Sequence, residues 1–131
     1  LGQDLNGKDV IILDDMISSG ESMIDVATEL KKRKAAKVIC FSTFGLFTEG
    51  FDKFNEAHKN GIIDAVFTTN LIYARPGLLD CPWYHQVDMS KYVALLIDTL
   101  NNEKSLSELL SPGDRINAFL KRNGFNVVPR K

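Results

Sequence analysis

The sequence predicts an α/β fold, a parallel β-sheet flanked by helices, and two observations carry that expectation. The strongest strand candidates, Val10 to Leu13 and Val38 to Phe41, are unbroken apolar runs. Continuous runs of this kind belong to strands covered on both faces, as in parallel sheets. Strand-like and helix-like segments also alternate along the chain, which calls for parallel strands joined by helical crossovers. With 131 residues, the chain suits a single domain, 1–131, around one hydrophobic core.

The elements follow in order. After Val10 to Leu13 the period changes, and Met23, Ala27 and Leu30 mark a helix from about Gly20 to Arg33. Val38 to Phe41 is the second strand, followed by the turn TFGLF. Phe47, Phe51 and Phe54 form a stripe at helical spacing that ends near Gly61, a suitable residue just past a helix end. Ala65 to Thr69 is the third strand. The stretch LIYARPGLLDCP reads as a loop because of Pro76-Gly77 and Pro82. Tyr84 to Val87 is a fourth, shorter strand. Ser90 or Asp88 caps a helix whose apolar face includes Tyr92, Leu95, Leu96 and Leu100. A short helical turn is expected over Leu106 to Leu110. Ser111 as N-cap, Pro112 as first helical residue and Asp114 as capping-box acid then start a helical extension, 111–131. Its Ile116, Phe119 and Leu120 should face inward, and Gly124 should stop the helix.

Composition removes several classes of function. Sixteen basic and seventeen acidic residues leave a net charge of −1. The one dense basic run, Lys31 to Lys34, closes a predicted helix, where cations complement the helix dipole. No aromatic residues interleave with it, so it predicts no nucleic-acid site. No apolar run approaches the roughly 20 residues a membrane span needs. Cys40 and Cys81 are distant in sequence and fit reduced thiols of the cytoplasm better than a disulfide framework. The sequence starts without methionine, close before a strong strand, as in a fragment of a longer protein or a processed chain.

The chemistry concentrates in VIILDDMISSGES, Val10 to Ser22. Asp14 and Asp15 come at the end of the first strand, where open α/β sheets bind ligands. Two carboxylates there can accept hydrogen bonds from vicinal hydroxyls or supply oxygens to a metal ion. Ser18, Ser19, Gly20, Glu21 and Ser22 follow, with hydroxyls, a flexible glycine and free N–H groups at a helix start. Such a turn accepts phosphate. Diol at one end and phosphate at the other describe a ribose 5-phosphate. A purely structural alternative is a capping box between Ser18 and Glu21, with the two aspartates drawn to the positive helix end.

The same segment resembles the phosphoribosyl-diphosphate-binding motif shared by type I phosphoribosyltransferases and ribose-phosphate pyrophosphokinases. TFGLF at Thr43 to Phe47 resembles the THGLF phrase of the pyrophosphokinases, and AVFTTN at Ala65 to Asn70 their VVTNT strand. Val87 to Leu110 resembles their C-terminal helix and its ending. The matches are collinear from about Leu1 to Leu110, so the chain resembles the C-terminal half of a ribose-phosphate pyrophosphokinase, with a phosphoribosyltransferase-like fold.

The resemblance implies roles for these residues. Asp14 and Asp15 would hold the ribose hydroxyls, and Ser18 to Ser22 would cradle the 5-phosphate. The implied reaction is diphosphoryl transfer from Mg²⁺·ATP to ribose 5-phosphate, with Asp14 and Asp15 as candidate ligands of the Mg²⁺. The ATP site and the catalytic side chains would lie upstream, leaving no catalytic residue in this segment and no activity for it alone. Family members assemble as homo-oligomers. Three positions depart from the family pattern: Ser18 replaces a third acid, Glu21 a glycine or alanine, and Phe44 a histidine. An extra carboxylate beside a phosphate opposes binding by up to about 1 kcal/mol at partly exposed sites. Two alternatives therefore stand: a non-catalytic sensor of phosphoribosyl diphosphate or associated subunit, and a phosphoribosyltransferase with residues 71–83 as a hood over the base. His58 is expected to serve a helix C-terminus, and His85 to lie in a strand away from ligand.

Overall fold

In the computed structural model, which describes residues 4–107 and 112–125, four strands form one sheet and every neighbouring pair is parallel. They are β1 (Val10–Ile17), β2 (Val38–Gly45), β3 (Ala65–Thr69) and β4 (Tyr84–Val87), joined through helices α1 (Glu21–Lys32) and α2 (Asp52–Lys59) and a single 3-10 turn, Leu78–Asp80. The spatial order is the chain order, β1-β2-β3-β4. The predicted parallel α/β architecture is therefore the one found. The chain divides into two compact units, Leu1–Met89, which holds the sheet, and Ser90–Lys131.

Sequential order has a geometric consequence. Parallel crossovers are right-handed, so a sheet that always winds the same way places its connecting helices on one face. On that face Val38, Cys40, Val66 and Tyr84 are buried together with Met23 and Ala27 of α1 and Phe54 and Ala57 of α2. The opposite face holds the register row Leu13, Phe41, Phe67 and His85. There Phe41 stacks on Phe67 with centroids 4.7 Å apart, and Phe67 on His85 at 4.7 Å. Ile11 and Leu13 of β1 are 59% and 77% exposed. The expectation that the first strand is covered on both faces thus fails, because neither crossover helix packs there.

Two strands are longer than their apolar runs: β1 continues through Asp14, Asp15 and Met16 to Ile17, and β2 through Ser42 to Gly45. The aspartates therefore sit inside the strand and not after it. The phenylalanine stripe also needs correction. Of its three members only Phe54 lies in α2; Phe51 is the N-cap, and Phe47 precedes a turn closed by Gly50 N–H donating to the Phe47 carbonyl at 3.0 Å. All three still pack together, with Phe47 edge-on to Phe51 and Phe54. Trp83 stacks on Phe54 at 5.1 Å and donates its indole N–H to Asn55 Oδ1 at 2.8 Å. Gly61, at φ +68°, ends α2 as expected.

At the amino ends of the strands, Asp64 Oδ2 accepts from Val38 N–H at 2.8 Å and from Lys31 Nζ at 3.1 Å. Partial burial works against this carboxylate, but the Val38 N–H and the Lys31 charge outweigh it and hold Asp64 below the ordinary carboxylate range. Lys31 and Lys32 occupy the last turn of α1, as the dipole reading of the basic run requires.

In the second unit, α3 spans Ser90–Asn101 and α4 spans Gly113–Arg122. Tyr92, Leu95 and Leu96 are half-buried. Leu100, expected on the same face, is 62% exposed in the last turn, and Thr99 is the buried residue, donating its hydroxyl to the Leu95 carbonyl. Pro112 stands at the N-cap of α4, one position earlier than predicted, and Gly124 follows its end at φ +79°. Ile116 and Phe119 do not face inward. They are 51% and 61% exposed, since no residue of α4 is buried among the described residues. The Ser111 cap and most of the Leu106 to Leu110 turn lie outside the described residues.

Candidate functional site

The turn after β1 is held by the next connection in the chain. Ile17 accepts Leu46 N–H at 2.8 Å, and Ser18 accepts Thr48 N–H at 3.0 Å. Arg75 in turn donates from Nη1 to the Phe47 carbonyl at 2.6 Å. Gly20 is the N-cap of α1 and sits in the left-handed region at φ +85°. A Cβ at this position would come 2.1 Å from Cε2 of Phe54. Backbone conformation and space both require glycine here.

A glycine cap leaves the first turn of α1 without a side-chain acceptor of its own. Glu21 N–H reaches Ser19 Oγ only at 3.5 Å, the weak limit of a hydrogen bond. The capping-box alternative does not form, because the helix begins two residues later than a Ser18 cap needs. The Glu21 carboxylate turns instead to Lys53 Nζ at 2.5 Å, and Lys53 also donates to Glu49 Oε2 at 2.6 Å. The Lys53 hydrogen bond, followed by its charge, holds Glu21 below the ordinary carboxylate range.

Asp14, Ser18, Ser19, Gly20 and Ser22 line one cleft with Met16, Ile17 and Met23, enclosing about 130 Å³. That is roughly four water volumes, well under the 300 Å³ at which ordinary small-molecule pockets begin. Such a space is on the scale of a small anionic group such as phosphate. Asp14 Oδ1 accepts Asp15 N–H at 2.8 Å. Asp15 and Glu21 are the two predicted site residues that do not line the cleft. Successive side chains of a strand point to opposite faces, so two neighbouring aspartates inside β1 diverge.

Glu21 lines a second and larger groove, of about 510 Å³, between α1 and α2, together with Asp25, Lys53 and Glu56. Among the described residues no group of three or more His, Cys, Asp or Glu side chains could hold a metal ion. His58 Nδ1 lies 3.0 Å from the Ile63 carbonyl, which only accepts, so Nδ1 carries the proton. His85 stacks on Phe67, outside the cleft. Lys53 and Phe54 hold the turn itself, and Arg75 the connection that holds it, through contacts about 27 to 34 positions apart in the chain. No local pattern announces contacts of that range.

Fold and cleft define a class: a parallel-sheet α/β domain with a small cleft at a helix start that follows the carboxyl end of a strand. Its fold matches the crystal structure of phosphoribosylpyrophosphate synthetase from Mycobacterium smegmatis, with a TM-score of 0.64 and 23% identity, over 78% of this chain and 33% of that one. The phosphoribosyl synthetase-associated domain matches residues 1–111, and the chain belongs to that family. It is 33% identical over 108 residues to the ribose-phosphate pyrophosphokinase of Shewanella oneidensis, which covers 82% of this chain and 33% of the relative. To the enzyme of the same name in Mycoplasma pneumoniae it is 31% identical over 110 residues, 83% of this chain and 33% of the relative. The chain thus spans about a third of the length of the curated relatives it matches. Helix α4 begins beyond the matched residues.

Proposed function

We propose that this chain is the ribose 5-phosphate-binding part of a cytoplasmic, homo-oligomeric ribose-phosphate pyrophosphokinase, corresponding to the C-terminal part of its relatives. One observation carries the reading: a single cleft gathers Asp14, Ser18, Ser19 and Ser22 around a helix start whose cap is a glycine. The first-turn N–H groups of α1 take the 5-phosphate, helped by the serine hydroxyls and the positive end of the helix dipole. Asp14 accepts from a ribose hydroxyl. The ATP site and the groups that neutralise the transferred diphosphoryl charge come from the rest of a longer protein. A Mg²⁺ ion is usually held by one or two carboxylates plus substrate phosphates. Here Asp14 would be its protein ligand, and its chemistry would be to spread the negative charge of the phosphates. Catalysis of this type consists mostly of positioning and charge neutralisation.

The test is formation of AMP from ATP, dependent on ribose 5-phosphate, by the full-length protein. Wild type should form AMP, and Asp14→Asn should lose at least tenfold in apparent ribose 5-phosphate affinity, whereas Asp52→Asn, at the start of α2, should lose nothing. Equal losses at the two positions would remove the site assignment. A second reading, a non-catalytic sensor or associated subunit, draws support from the cleft lining: no lysine or arginine among the described residues lies in it. Ribose 5-phosphate binding with no AMP formed would favour that reading.

A further inference from the structure

Glu21 is an awkward residue for a phosphate site. It is the first residue of α1, and its own N–H is one of the groups a bound phosphate would use. A free carboxylate at that point competes with the anion for the same N–H groups and repels its charge. The structure shows where the carboxylate goes. Lys53, at the second position of α2, bonds it at 2.5 Å, and Glu21 lines the α1–α2 groove and not the cleft. The next residue, Phe54, has its ring against Gly20, one position before Glu21. Two consecutive residues of α2 therefore hold two consecutive residues of the turn, one by packing and one by charge. Glu49 supplies Lys53 with a second anionic partner and anchors the ammonium on the α2 side.

We infer that Lys53 is a positioning residue for the anion site: by pairing with Glu21 it draws that carboxylate away from the cleft and offsets its charge, so that the helix start can accept phosphate. The inference rests on the reading of the cleft as a ribose 5-phosphate site. It concerns how this chain accommodates a carboxylate that its own sequence places inside an anion-binding turn.

Titration calorimetry with ribose 5-phosphate on the full-length protein tests it, with variants Lys53→Met, Lys53→Arg, Glu21→Gln and Glu21→Gln/Lys53→Met. Lys53→Met should weaken binding about three- to tenfold at low salt, because it releases an uncompensated charge beside the phosphate. Lys53→Arg should bind as wild type. The double variant should recover wild-type affinity, since the charge to be offset is gone. Added salt at about 0.5 M should shrink the Lys53→Met defect. Were Lys53 only a mechanical tie between the helices, or itself a phosphate ligand, the double variant would stay as weak as Lys53→Met, and the inference would be overturned. An unchanged affinity in Lys53→Met overturns it as well. Should wild type bind no ribose 5-phosphate, the site reading itself falls, an outcome distinct from binding that ignores Lys53.

Discussion

The two faces of the sheet are built from similar residues and meet different fates. On the covered face, Cys40, Val66 and Tyr84 are buried under α1 and α2, and burial pushes the Cys40 thiol up to about 12. On the open face, Leu13, Phe41 and Phe67 make a row of comparable apolarity, and its β1 end lies in water. Side-chain chemistry does not separate the two faces; strand order does. A sheet wound in one direction receives its crossovers on one side, and the site belongs to that side. Phe54, which packs the covered face, also fills the space beneath Gly20.

The largest expected effect is therefore at Phe54. Phe54→Ala removes a buried ring that touches Phe47 and Trp83 and leaves a cavity in the core. It should cost about 3–5 kcal/mol in urea unfolding. A loss below about 1 kcal/mol would mean that the covered face does not carry the stability of the unit. A smaller effect is expected at the charged rim of the same face. The Asp64 carboxylate lies below its ordinary range in the folded chain, so its contribution is fully present above about pH 3.9, the unfolded value, and is lost as pH falls through the lower folded value. Asp64→Asn should lower stability at neutral pH and flatten its decline on acidification. An acid-unfolding profile with the wild-type slope would show that the Lys31 and Val38 bonds to Asp64 contribute nothing.

How much of this was legible in the sequence depends on the range of the interactions involved. The four strands, the sites of α1 and α3, and Gly61 as a helix stop follow from local period and turn chemistry, and they were readable. The cleft residues Asp14, Ser18, Ser19, Gly20 and Ser22 are readable because they fall within one short segment of chain, a strand end and the turn after it. Asp15 groups with Asp14 in the sequence because the apolar run ends at Leu13; continued pairing of Met16 with Phe44 and of Ile17 with Gly45 extends the strand. Lys53 was not readable as Glu21's partner, since the pair is 32 residues apart and depends on how α2 packs on α1. The open face is hidden from the sequence for a similar reason. A continuous apolar run says that a strand can be covered twice, but not whether the chain returns on both sides.

The smallest expected effect lies on that open face and gives the comparison its sharpest test. Leu13 is 77% exposed, so replacing it removes little buried area and opens no cavity. Leu13→Ser in the 131-residue chain should change urea-unfolding stability by no more than about 0.5 kcal/mol, as for surface positions generally. The same change on the covered face, Val66→Ser, leaves a void and a hydroxyl among apolar neighbours and belongs with the large losses. A difference of several kcal/mol between the two substitutions upholds the contrast between the faces. Should Leu13→Ser in the full-length protein cost 2 kcal/mol or more while it costs nothing in the 131-residue chain, the open face is covered there by other residues. In that case the asymmetry belongs to this stretch of chain alone, and the apolar run of β1 meets the two-sided burial that its sequence predicts.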